Sequence, residues 1–448
     1  MTLVLSGATV VASLDPVAVT VADVAIADGR VAEIGTDLPG GSSERLACDG
    51  GLVVPGNVCG HTHLYSALAR GMPYPADLAP PSNFVQILQR IWWRLDRALD
   101  EESVRSSALV GGVEALLAGS TTLVDHHASP NAIDGSLDVV ADALERVGIR
   151  SVLCYETTDR DGPERARAGL TENVRFLDAV RRGDHPLARG MVGAHASFTL
   201  SPATLDACVA AADAAGAGIH IHAAEDEADE GDCEARFGEP VADRLARAGA
   251  LTDRALLAHC VHLHPSEVAQ VVGSGATVAH NARSNMNNAI GRAPVEALGP
   301  SLILGTDGIG SDMFEESRVG YFRLREDDVS ADMGWPLERL AAGARFAGRL
   351  FDERLLGSVA EGAPADLLVL DRRLPTPVDG QNLAGHWIFG LSSCAVRDVI
   401  VDGEVVVRDR RTTKVDQDRV AADAAEAAAR MWERMQTIPA HPFEPEGT

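Results

Sequence analysis

Two histidines one residue apart, His61 and His63, follow the apolar run Leu52-Val53-Val54-Pro55-Gly56. Alternate side chains of a strand point the same way, so both imidazoles project from one strand end. That is a bidentate grip for a divalent metal. Alone, such a pair is a weak signal, and three further stretches supply what it lacks: His220-Ile221-His222-Ala223-Ala224-Glu225, Ala258-His259-Cys260 and Thr306-Asp307-Gly308. With Asp307 as the anionic ligand and one histidine of the 220/222 pair, the set becomes three imidazoles and one carboxylate. Zinc takes such a set, and iron(II) or manganese(II) also accept it. A metal held this way lowers the pKa of bound water to about 7. Glu225, three residues beyond His222, is placed to shuttle protons near that water. His259 is the candidate to orient the water and stabilise a tetrahedral centre.

Several of these residues have plainer readings. His220 and His222 share a strand face, and either could be the ligand. His259 competes with His262 and His264, but it directly follows Leu256-Leu257-Ala258, whereas the other two lead into Pro265. Glu225 opens the acidic run Glu225-Asp226-Glu227, a pattern typical of a solvated surface. Asp307 precedes Gly308 and could belong to a turn, although a lone carboxylate ending an apolar strand suits a ligand better.

Only a fold that gathers distant strand ends at one mouth can assemble these residues. The middle of the chain alternates short apolar runs with helical stretches such as 101–118 and 202–215, as a parallel α/β protein does. Eight candidate strands fall at 53–59, 121–126, 151–156, 190–196, 218–223, 255–260, 277–281 and 302–307. Most end at or beside polar or ionisable residues, which is where a (β/α)8 TIM barrel places its chemistry. Both chain ends carry Asp-Gly dipeptides between alternating apolar residues, Asp28-Gly29 and Asp402-Gly403, a strong hairpin signal. The expected organisation is a small β-sandwich built from residues 1–55 and 358–415, a barrel over 56–357, and a tail over 416–448 that is helical through 436.

The 448 residues exceed the roughly 250 that a barrel needs, leaving room for the second module. Apolar residues at 46% and charged ones at 23% fit a folded globular chain. A net charge of −26 argues against nucleic acid or an anionic membrane surface as partner. No apolar stretch of about 18 residues spans a membrane, and the Met1-Thr2-Leu3-Val4 start lacks a basic, cleavable leader. The seven cysteines, at 48, 59, 154, 208, 233, 260 and 394, contain no C-x-x-C pair, which suits reduced thiols in the cytoplasm.

The set Pro55-Gly56, His61-Thr62-His63, His222-x-x-Glu225, Ala258-His259-Cys260 and Thr306-Asp307-Gly308 resembles the amidohydrolase superfamily, in the branch of cytosine, guanine and S-adenosylhomocysteine deaminases and triazine hydrolases. Longer strings are similar to the SsnA-type aminohydrolases: 92–100 (WWRLDRALD), 125–130 (DHHASP), 280–288 (HNARSNMNN) and 305–316 (GTDGIGSDMFEE). The similarity runs from about residue 50 to the C-terminus. It implies a TIM barrel with a β-sandwich, one metal, and hydrolysis of an amidine-like C–N bond. The branch's pattern takes His222 as the ligand three residues before the shuttle, leaving His220 a layer deeper. Many binuclear relatives bridge their metals with a carboxylated lysine at a mid-barrel strand end. Here the only lysine is Lys414, in the C-terminal sandwich region, so the site reads as mononuclear.

The same resemblance makes His195 the histidine that holds substrate. His126, His127, Glu156, Asn281, Ser284 and Asn285 also lie at or just past strand ends, where each could contact a heterocycle or satisfy loop backbone. The substrate contacts expected are His195, His127, Asn281, Asn285 and Trp92, with Trp92 and its neighbour Trp93 as weaker candidates to wall the pocket. The expectation is therefore a cytoplasmic, metal-dependent aminohydrolase that deaminates a purine- or pterin-like ring, with Glu225 as proton shuttle and a homo-oligomeric state by analogy. Two alternatives stand beside it. The same site could open a ring C–N bond or displace halide, or the barrel could bind metal without catalysis.

Overall fold

Apolar residues alternate along both chain ends, and the two ends combine in one sheet. The computed structural model describes residues 3–39, 44–76, 78–371 and 374–447; Met1 and Thr2, at the head of the segment read as lacking a leader, lie outside them. The N-terminal strands are β1 (Leu3–Leu14), β2 (Val17–Ala27), β3 (Arg30–Gly35), β4 (Glu44–Ala47) and β5 (Leu52–Pro55). Asp28 and Gly29 join β2 to β3, both with positive φ (50° and 79°), as a type I′ hairpin turn requires.

The apolar run expected as one strand over 53–59 is two. Leu52–Pro55 pairs antiparallel with a strand from the C-terminal end, whereas β6 (Asn57–Thr62) pairs parallel with β7 (Ser120–His127). A change of partner on either side of Gly56 separates sandwich from barrel. The remaining barrel strands are β8 (Arg150–Tyr155), β9 (Ala188–Gly190), β10 (Val192–Ala196), β11 (Ile219–Ala223), β12 (Leu256–His259), β13 (Thr277–His280) and β14 (Leu302–Leu304). They form two parallel arcs, β6-β7-β8-β9 and β10-β11-β12-β13-β14. The arcs meet at isolated bridges, Thr157 with Ala194 and Thr62 with Asp307. At the second seam Thr306 and Asp307 donate their backbone N–H groups to the His61 carbonyl at 2.8 and 3.0 Å. Strands thus follow one another in chain order around a (β/α)8 barrel, β9 and β10 sharing the fourth position.

Inward-facing Val124, Val152, Leu256, Ala279 and Ile303 cluster with Phe346 and Phe351 of the helix Trp335–Phe351 as an apolar floor. The period-two alternation then carries polar residues above that floor: His126 two past Val124, Glu156 four past Val152, Asp307 four past Ile303. His259 stands three past Leu256, out of that step. The backbone is left-handed at His259 and Cys260 (φ 74° and 52°), where the strand breaks its alternation.

Strands β15 (Leu367–Leu370), β16 (Val396–Val401), β17 (Glu404–Arg408) and β18 (Arg411–Thr412) complete a nine-stranded sheet in the order β18-β17-β16-β15-β5-β1-β2-β3, with β4 on β1. Val53, Leu367 and Val369 face a core with Leu5, Val10 and Val24, while Leu52, Val54, Leu368 and Leu370 face the barrel helices. The sheet curls until its two Asp-Gly turns meet: Ala365 donates to the Gly29 carbonyl at 2.9 Å and accepts from Gly403 at 3.1 Å. The helix Gln417–Gln436 packs on the helix Glu101–Leu117. Among the described residues no helix is long and apolar enough to cross a membrane.

Candidate active site

Glycines let β6 and the end of β14 approach closely enough to bring His61 to Asp307. A Cβ on Gly60 would stand 2.5 Å from Ile303 Cδ1 and 2.8 Å from the Leu304 carbonyl oxygen; one on Gly305 would meet His61 N at 2.8 Å. His61 Nε2 lies 3.5 Å and His63 Nε2 3.1 Å from Asp307 Oδ1. His63 Nε2 is 3.2 Å from His222 Nε2. One ligand atom from each of His61, His63, His222 and Asp307 falls within 4.8 Å of all the others.

Hydrogen bonds set which nitrogen of each ring faces inward. His63 Nδ1 donates to the His126 carbonyl at 2.6 Å and His222 Nδ1 to the His195 carbonyl at 2.8 Å. A carbonyl only accepts, so Nδ1 of each ring carries a hydrogen and Nε2 is the nitrogen turned to the centre. His61 Nδ1 meets His220 Nε2 at 2.9 Å, and His220 Nδ1 lies 3.6 Å from Cys154 Sγ. His220 is thus the group that orients His61. His61 Nε2 is buried without a hydrogen-bond partner. Three inward ring nitrogens around one buried carboxylate call for positive charge among them, and a divalent cation supplies it. The residues fit a metal.

The electrostatics agree. Burial lowers His61 to about 3 and takes His222 and His220 well below the usual histidine value. Burial would also lower His63, but Asp307 outweighs it and raises His63 to about 9. Asp307, although buried, is held well below the usual carboxyl range by His61 and His63. Its Oδ2 accepts from the Ser284 hydroxyl. Asp307 thus draws positive charge to the centre, as a proton on His63 Nε2 or as a divalent cation in its place.

Glu225 stands at the edge of this group, Oε1 3.7 Å from His259 Nε2. Burial, reinforced by the charge of Asp307, pushes its carboxyl well above the ordinary range. Two asparagines expected to touch substrate hold His259: its Nδ1 donates to Asn285 Oδ1 at 2.8 Å, and Asn281 Nδ2 donates to its Nε2 at 3.4 Å. The structure also sets His127 apart from the pocket. Its Nε2 bonds to Ser129 Oγ at 2.9 Å, and its ring packs between Tyr65 and Tyr155. Asn281, Asn285 and His127 thus lie behind the pocket lining and not on it.

The pocket above this centre spans about 500 Å³, counting the open solvent at its mouth. His195 and Trp92 line it as expected, and so does Trp93. His195 Nδ1 donates to Thr199 Oγ1 at 2.6 Å, whose own hydrogen goes to the Ala196 carbonyl at 3.2 Å. His195 Nε2 therefore remains an acceptor. Sequence reasoning missed Phe84, Leu88 and Asn288 in the lining. A stripe of Phe84, Leu88 and Trp92 at steps of four was the available signal for the first two. The helix carrying them makes one wide π-turn at Leu88–Trp92, a feature frequent at functional sites, before resuming at Trp93–Ala98.

The sequence profile described as the amidohydrolase family matches residues 52–406. The chain belongs to that family. Among curated relatives, a 5-methylthioadenosine/S-adenosylhomocysteine deaminase from Desulforudis audaxviator (strain MP104C) is 33% identical over 431 residues, covering 92% of this chain and 95% of the relative. A 5′-deoxyadenosine deaminase from Methanopyrus kandleri is 30% identical over 387 residues, with 85% and 86% covered. A solved structure of an adenosine deaminase from Xanthomonas campestris with bound zinc shares the fold, at a TM-score of 0.83 and 24% identity over 96% of this chain and 98% of that one.

Proposed function

We propose that this protein is a metal-dependent aminohydrolase that replaces the exocyclic amino group of a small adenosine-like heterocycle with oxygen from water, releasing ammonia. One observation carries the reading: Glu225, whose buried carboxyl favours its proton, sits 3.7 Å from His259 and beside the His61, His63, His222 and Asp307 set. The deaminase names of relatives that span nearly the whole chain support it. Seven unpaired cysteines, six of them buried, support a reducing, cytoplasmic setting.

His61, His63, His222 and Asp307 would hold one divalent metal, zinc first, with iron(II) or manganese(II) as alternatives. When bound, that metal supplies the Lewis acidity that makes water nucleophilic at neutral pH. Ser284 on Asp307, His220 on His61 and the two backbone carbonyls on His63 and His222 keep the four side chains aimed inward. Glu225 carries a proton on its carboxyl and delivers it to the ring nitrogen next to the amino-bearing carbon. It then takes up the proton released by water and passes it to the departing amine. His259, neutral and anchored through Nδ1 on Asn285, turns Nε2 towards Glu225 and accepts there from the attacking water in place of the long 3.4 Å contact from Asn281. His195 Nε2 accepts from a substrate N–H or O–H, and Phe84, Leu88, Trp92 and Trp93 exclude water around a flat ring.

Glu225→Gln tests this assignment. The variant should bind as much metal as the wild type and release ammonia about 100-fold more slowly or worse. Wild-type turnover in the metal-loaded variant would remove Glu225 from the chemistry.

A further inference from the structure

The ionisable lining of the pocket is lopsided. Glu156, Glu225 and Asp307 face it beside His63, His195 and His222, and among the described residues neither lysine nor arginine does. One cation stands directly behind the wall, and it is fully committed. Arg160 Nη1 lies 2.5 Å from Glu156 Oε1, Nη2 2.5 Å from Asp96 Oδ2, and Nε 3.6 Å from Asp161 Oδ2. Its guanidinium carbon sits 5.3 Å from the Trp93 ring centroid. The side chains of Arg160, Asp96 and Glu156 are 1%, 2% and 4% exposed. Arg160 on Oε1 and His126 Nδ1, 3.3 Å from Oε2, hold Glu156 in one place, and a Glu156 oxygen and a His195 nitrogen lie within 4.8 Å of each other. The pocket wall thus offers substrate two neighbouring acceptors and no free cation.

We propose that this wall selects substrates whose non-reacting part carries no anionic group and presents N–H or O–H donors to Glu156: a neutral nucleoside rather than a nucleotide or a carboxylate-bearing conjugate. The proposal rests on the aminohydrolase reading and narrows its substrate class. A donor placed against Glu156 gains a charge-assisted hydrogen bond. A phosphate or carboxylate seated there meets the Glu156 carboxylate, whose cation Arg160 is already shared with Asp96 and Asp161, in a site where water screens little. Arg160 and Asp96 are positioning residues, since both act through Glu156.

The test compares kcat/KM for ammonia release by the zinc-loaded full chain from adenosine, adenosine 5′-monophosphate and S-adenosylhomocysteine. We expect adenosine to be preferred by about 100-fold, and a preference under about tenfold overturns the proposal. Glu156→Gln should weaken adenosine turnover and shrink that preference by about tenfold or more, while Glu156→Asp keeps it. A folded, metal-loaded Glu156→Gln with an unchanged preference also overturns the proposal, and if that variant does not fold, the wild-type ratio decides. Should none of the three release ammonia, calorimetric binding of the same compounds replaces turnover as the readout. Preferential binding of adenosine would then uphold the selection while the aminohydrolase reading falls. Equal turnover of all three would do the reverse.

Discussion

His220 holds no proposed ligand position, yet His61 depends on it. The 2.9 Å contact between His61 Nδ1 and His220 Nε2 satisfies a buried donor and aims the other nitrogen at the centre. His220→Phe fills the space and leaves that donor without an acceptor, so metal affinity should fall by about 10- to 100-fold, measured by zinc competition with a chromophoric chelator. Unchanged affinity would mean that the strand alone aims His61. Asp96 carries a second prediction. Burial pushes it up to about 7 from 3.8 against the pull of Arg160, with Asp161 and Glu156 adding to the rise. A carboxyl raised on folding binds more protons in the folded state, so its contribution is full below the ordinary value and lost as pH rises through the folded one. Between about pH 4 and 7 the wild type should lose stability relative to Asp96→Asn, read from denaturation midpoints; parallel profiles would contradict the assignment. At this scale the order of residues was enough to expect that His61, His63, His222 and Asp307 converge, with Glu225 beside Asp307. It was not readable for the supports. Asn281 and Asn285 hold a histidine on another strand, and Asp96 pairs with an arginine 64 residues away, relations that only the folded barrel creates.

The helical segment from Phe84 to Ala98 forms one wall of the pocket, and the end of the chain braces it from behind. Arg94 donates to the Ile438 carbonyl at 2.7 Å and Arg97 to that of Pro439 at 2.8 Å. Gln89 exchanges bonds with the tail: it donates to the Phe443 carbonyl at 2.7 Å and accepts from His441 N at 2.9 Å. The Phe443 ring lies 5.8 Å from that of Trp93, on which the pocket depends. Removing such an aromatic contact is worth about 0.5–1.5 kcal/mol, so Phe443→Ala should raise KM by about two- to tenfold with kcat nearly unchanged. A fall in kcat at constant KM would instead place the tail in the chemistry. The tryptophan pair was recognisable as a candidate wall, but nothing in the order of residues tied it to a segment some 350 positions later. The strand expected over 53–59 misled for a similar reason, because an apolar run does not declare that its two halves pair with different sheets.

Across the whole molecule, the alternation of apolar runs and helices was enough to expect a barrel, and the Asp-Gly hairpins at both ends were enough to expect one β module made from the two. The fold answers the chemistry's demand: residues from positions 61 to 307 converge because parallel strands deliver their ends to one mouth. The pocket's far wall came from the helical segment Phe84–Ala98, whose four-residue stripe periodicity shows but whose placement over the strand ends it does not. The most direct measurement gives metal-loaded protein a neutral adenosine-like nucleoside and follows ammonia, product mass and metal content in one sample. The account predicts about one divalent ion per chain and ammonia in step with a product about one dalton heavier, as NH2 becomes OH. Water added to the ring without ammonia, from protein carrying its metal, would contradict it and move the enzyme to ring-opening hydrolysis.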